Sequence, residues 1–208
     1  MNIDKLIQSN HNQLLSYHEY DELFSNYATN GKTTGPNSTE SLIGFTKLNF
    51  HRSKRIYKTI VISSDLAELI QAINTPQHWI LLTETWCGDA ANSVPVIGRI
   101  AALNPLIQLR ILFRDENLEL MDQFLTNNGR SIPKLIVTDE AFNVLFHWGP
   151  RPATAQVLYN DWKNSDPKPE YHDFHIALQQ WYQQDAGQSI QQELMALILP
   201  VAFPLVKN

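Results

Sequence analysis

The segment Thr83–Pro95, TETWCGDAANSVP, holds the only cysteine of the chain, Cys87. A short apolar run, His78–Glu84, precedes it, and a helical pattern from about Asp89 to Leu103 follows, so the thiol sits at a strand-to-helix junction. The first turn of a helix presents unpaired backbone N–H groups and the positive end of the helix dipole. Both favour thiolate over thiol, and a thiolate attacks disulfides, peroxides and other electrophiles. Asp89 opposes this effect. In the first turn it stabilises the helix by about 0.3–1 kcal/mol, and its charge disfavours a neighbouring thiolate by a similar amount. The competing reading of a lone cysteine is a small buried hydrophobe, interchangeable with alanine.

Other residue types capable of chemistry are scattered more widely. Arg114 and Asp115 follow the apolar run Ile107–Phe113, and Arg151 lies in the turn sequence Gly149-Pro150-Arg151-Pro152. Either guanidinium can fork onto a carboxylate or phosphate of a ligand, or close an internal ion pair. Glu84 reads either as a strand-end residue at the surface or as a proton-handling group near the thiol, the former being the simpler role. Ser131-Ile132-Pro133-Lys134 opens a strand, a position where proline is tolerated. His51, Arg52, Lys54 and Arg55 form a local basic patch. His172 and His175 share a helix face, but no further ligands at metal-like spacing accompany them, so no metal is expected. The chain has no phosphate-cradling glycine loop, dinucleotide fingerprint or nucleophile elbow, and no cofactor is expected.

The elements that must position these residues fall into three zones. With 208 residues, the chain is long for one average domain and short for two, which predicts a single core domain with extensions. A formal net charge of −5 argues against binding dominated by nucleic-acid phosphates. A single cysteine forms no internal disulfide, the start shows no signal-peptide pattern, and the longest apolar run, Leu194–Val206, is too short to span a bilayer, which predicts a cytoplasmic protein. Residues 1–55 read as an N-terminal helical extension ending in a loop, with turn chemistry throughout GKTTGPNSTES at 31–41. Residues 56–164 read as the core domain, in the order β-α-β-α-β-α-β-β-α. Its expected first strand is IYKTIVI at 56–62, followed by a helix capped by Ser64 or Asp65. A helix at about 117–125 and a closing strand pair at 132–137 and 144–148 follow. Residues 165–208 read as a C-terminal helical extension, with a break at Ala186-Gly187 and no helix beyond Pro200. Its apolar end covers the core or a second subunit, so a homodimer is one expectation. The alternation predicts an α/β fold, a mixed sheet with flanking helices, whose parallel strands present ligands at their carboxyl ends.

The order of elements and the local motifs together resemble the thioredoxin superfamily. Trp86-Cys87-Gly88-Asp89-Ala90 aligns with its W-C-G-P-C motif, Ser131-Ile132-Pro133 with the segment before its final hairpin, and Gly149 with a glycine after its last strand. WCGDAA, LRILFRDEN, RSIPKLIV and WGPRP also look like a bacterial branch of single-domain thioredoxin-like proteins. The resemblance implies a cis Ile132–Pro133 bond facing Cys87. It also implies a substrate groove formed by Trp86, Gly88, Asp89, Ala90, Ile132, Pro133 and Lys134, with Lys134 placed to offset the Asp89 charge. Two departures matter. Ala90 stands where the second thiol belongs, and Leu81 where the family carries a buried proton-accepting aspartate. Dithiol reductase activity is therefore not expected. Two functions stay open: monothiol exchange at Cys87 with an external low-molecular-weight thiol as resolving partner, and a redox-inactive module that binds a peptide or protein. No nucleic-acid or membrane partner is expected.

Overall fold

Gln77–Thr83 is apolar on both sides of the pleat and forms β1, an interior strand of a four-stranded sheet in the computed structural model, which describes residues 14–203. Parallel to it on one side runs β2 (Ile107–Phe113), and antiparallel on the other runs β3 (Lys134–Asp139). Strand β4 (Val144–Trp148) closes the opposite edge antiparallel to β3, giving the order β2-β1-β3-β4. Strands covered on both faces carry continuous rather than alternating hydrophobicity, as Trp79-Ile80-Leu81-Leu82 does, and all four side chains are buried. Edge strand β4 is the most exposed of the four.

Three helices precede the sheet: α1 (Tyr17–Thr29), α2 (Glu40–Thr59) and α3 (Ser64–Gln71). Helix α4 (Gly88–Ala101) connects β1 to β2. A 3-10 turn, Arg114–Glu116, and the one-turn helix α5 (Leu118–Met121) lie between β2 and β3. After β4 come α6 (Ala153–Asn164), α7 (Tyr171–Asp185) and α8 (Gln188–Ala202). The result is the mixed α/β sheet with flanking helices that the sequence predicts, with helical segments on both ends. Among the described residues no helix is long and apolar enough to cross a membrane.

Local chemistry sets the helix starts. Ser16 and Glu19 form a reciprocal capping box at α1, and Thr39 and Ser63 cap α2 and α3 through their hydroxyls. The α7–α8 break occurs where expected, with Ala186 and Gly187 both left-handed.

Several elements differ from expectation. The segment IYKTIVI is not a strand: its first half completes α2 and its second half is an extended linker into α3. The boundary drawn between residues 55 and 56 therefore falls inside a helix. Among the described residues, the outer edge of β2 is met only by a single antiparallel bridge, in which Leu15 exchanges hydrogen bonds of 3.0 and 2.7 Å with Ile111. Helix α3 takes its cap from Ser63, one residue earlier than predicted. The helix expected at 117–125 is a single turn. Pro200 lies within α8, which continues to Ala202 in the last turn of the described chain. The rest of the apolar end, residues 204–206, lies outside the described residues.

Candidate functional site

Strand β1 ends at Thr83, and the chain turns through Glu84–Trp86 so that the Cys87 N–H donates to the Glu84 carbonyl at 3.1 Å. Cys87 is the N-cap of α4, and its sulfur accepts the Ala90 N–H at 3.5 Å. The thiol in turn donates to the Ile132 carbonyl at 3.5 Å. The Ile132–Pro133 peptide is cis. Gly149, at φ +110°, packs on the Pro133 carbonyl so closely that a Cβ would collide with it. That contact needs glycine for both its backbone angle and its space.

The helix start does not produce a thiolate. Cys87 is 8% exposed, and burial, reinforced by the Asp89 charge, pushes its thiol up to about 12. The Ala90 and Asp89 N–H groups and Arg151 pull the other way and lose. At neutral pH the group is a thiol.

Asp89 is itself committed. Its carboxylate accepts from Arg151 Nη2 at 2.6 Å and Nε at 3.1 Å, and from the Tyr182 hydroxyl at 2.7 Å. Arg151 also reaches Gln156 Oε1 at 3.1 Å and lies 4.6 Å from the Tyr159 ring centre. The neutralising cation beside Asp89 is thus Arg151 and not Lys134. Lys134 is 1% exposed and points away, donating to Thr126 Oγ1 at 2.7 Å and the Gly149 carbonyl at 3.0 Å. Burial brings its ammonium down to about 8. Arg114 pairs with Asp115 at 2.7 Å, donates to the Arg130 carbonyl and covers the Trp86 ring.

Glu84 is not at the surface. It is fully buried, with Oε1 accepting the Asp115 N–H at 2.9 Å and Oε2 without a partner. Burial raises its pKa. Leu81 lies fully buried in β1, opposite Ile111 and Leu135. The loop at 31–39 is pinned here: Thr34 and Thr85 exchange hydrogen bonds of 3.0–3.2 Å, and Thr46 joins them at 3.2 Å. These threonines carried no recognisable motif, because a hydroxyl becomes informative only when its partner is known.

Helices α2 and α7 wall the cysteine into a pocket of about 320 Å³, lined among others by Phe45, Trp86, Tyr159, Phe174 and His175. The approach of α7 is close. A Cβ on Gly88 would lie 3.2 Å from Gln179 Nε2 and 3.4 Å from His175 Nε2. Asn92 ties α4 to α7, donating to Gln179 Oε1 at 3.0 Å and to the Gly88 carbonyl at 2.8 Å. Trp86, Cys87, Gly88, Asp89, Ile132, Arg114 and Arg151 share this pocket, whereas Ala90 is buried beneath it and Lys134 lies outside. Asn92, Gln179 and Tyr182 belong to the site without having been singled out for it. Tyr182 is buried, and its hydroxyl donates to Asp89.

Solved structures with this arrangement of elements exist at low sequence identity. A protein of unknown function from Pseudomonas aeruginosa is 20% identical, with 90% of this chain and 99% of that one covered and a TM-score of 0.56. An HIV epitope-scaffold is likewise 20% identical over 88% of this chain and 98% of its own, at a TM-score of 0.53. At this identity the likeness concerns the fold alone. No curated protein matches the chain. A family model described as Thioredoxin matches residues 35–163, from the loop before α2 to the end of α6 and including Cys87, Pro133 and Gly149. On that match, the chain belongs to the thioredoxin family.

Proposed function

We propose that the Cys87 pocket is a binding site built on a thioredoxin scaffold, taking an apolar or aromatic group of a peptide or protein partner, with Cys87 present as a neutral thiol in its wall. The observation that carries this reading is the state of the sulfur. It is buried under α7, and burial pushes its thiol up to about 12, which disfavours the thiolate that exchange chemistry uses. The lining supports it, since Arg114 and Arg151 are both occupied by internal carboxylates and Phe45, Trp86, Tyr159, Tyr171 and Phe174 contribute aromatic surface. Ala90 removes the resolving thiol, so a dithiol cycle has no second half.

The bond from the Ala90 N–H to the Cys87 sulfur favours a second reading, monothiol exchange. There the Cys87 thiolate attacks a mixed disulfide, forms a new disulfide to one half and releases the other half as a thiolate. An external low-molecular-weight thiolate then attacks that bond, restoring the Cys87 thiolate and carrying the partner away as a disulfide. The pH dependence of Cys87 alkylation by iodoacetamide, followed by mass spectrometry, separates the two. Binding predicts slow modification that is still accelerating above pH of about 10. A plateau reached below pH of about 7.5 would refute it and support exchange.

A further inference from the structure

The basic patch at His51–Arg55 takes part in neither reading of the cysteine. Lys54 turns away and pairs with Asp21 at 2.9 Å. Arg52 and Arg55, three residues apart on α2, face a groove of about 480 Å³ between α2 and α7. His51, His175, Gln179 and Gln183 also line it, and no aspartate or glutamate does. Neither arginine is in an ion pair among the described residues. Arg52 keeps only an internal bond to Asn49 Oδ1 at 3.1 Å. Its own burial, then the charge of Arg55, lowers its pKa, so two cations are held together without a counter-charge.

Gln179 lines both this groove and the Cys87 pocket, but its Nε2 is buried and faces Gly88, so the groove's donors are the two guanidinium groups.

We propose that the α2–α7 groove binds a small anion, whose carboxylate or phosphoryl oxygens sit between Arg52 and Arg55. Guanidinium forks suit both groups, and the groove volume is in the range of small-molecule sites, about 300–1,000 Å³. The assignment is independent of the redox state or reactivity of Cys87. Calorimetric titration of the full chain with citrate and, separately, with pyrophosphate tests it and distinguishes the carboxylate from the phosphoryl source. Saturable one-site binding of at least one probe is expected, weakened about tenfold or more in Arg52→Gln/Arg55→Gln. Lys54→Gln, which removes the same charge from the same helix outside the groove, should bind like the parent. Thermal melts of both variants check that each is folded. Failure of both probes to saturate overturns the proposal, as does equal weakening by Lys54→Gln or undiminished binding in the double arginine variant.

Discussion

Replacing Arg151 by methionine is the most direct test of how the N-terminal end of α4 is held. Asp89 is 8% exposed and receives three side-chain hydrogen bonds, two of them from this guanidinium. Methionine keeps much of the apolar stem but leaves a buried carboxylate with Tyr182 alone. Removing one member of a buried pair costs about 3–5 kcal/mol, mostly the penalty of the charge left behind. In a chain of this size each kcal/mol moves the melting midpoint by about 2–4 °C, so Arg151→Met should lower it by about 6–20 °C. Urea unfolding of the parent, Arg151→Met, Asp89→Asn and the double variant gives the coupling directly. The double variant should recover more than half of the loss, since no charge then stays buried. The thiol supplies an independent readout. Asp89→Asn removes a charge that raises the Cys87 pKa, so alkylation at fixed pH should accelerate, whereas Arg151→Met should slow it. A loss below about 1 kcal/mol in Arg151→Met would refute the reasoning, because that is the value of a solvated surface pair.

Two further outcomes are expected. Lys134 has its folded-state pKa lowered to about 8 from an ordinary 10.5, so the unfolded chain binds the proton more tightly and stability should rise with pH across that window. The gain is at most about 3 kcal/mol. It is read as the difference between parent and Lys134→Met, because Cys87, with its raised pKa, contributes the opposite slope in both proteins; a flat difference from pH 7.5 to 10.5 (the limits chosen to bracket about 8 and 10.5) would contradict it. Gly149→Ala places a Cβ on the Pro133 carbonyl at positive φ and should cost about 3 kcal/mol or more in urea unfolding, with a loss under about 0.5 kcal/mol arguing against that contact.

The sheet and the cysteine helix were legible because their signals are local. β1, β2, β4 and α4 announce themselves by apolar runs between turn residues, and the α7–α8 break by Ala186-Gly187. Helix α2 was misread for a physical reason. Its buried residues are Thr46, Asn49 and Ser53, the first two bonded to Thr85, so no apolar stripe marks the inward face. Without that stripe, the β-branched residues at its end dominate the pattern. Glu84 was assigned to the surface because a glutamate at a strand end is usually solvated, and only the fold brings the Asp115 N–H and the 31–39 loop over it. The identity of the cation beside Asp89 is a tertiary fact. Arg151 is 62 residues away in sequence, and nothing local to either residue selects it over Lys134.

The contacts that close the pocket run from Gln179 and Tyr182 back to α4, across 87 and 93 residues of chain. A variant lacking α7 would therefore lose both contacts and the wall that α7 contributes to the Cys87 pocket. Shielding of the thiol is in that part a property of distant sequence, not of the residues beside the cysteine.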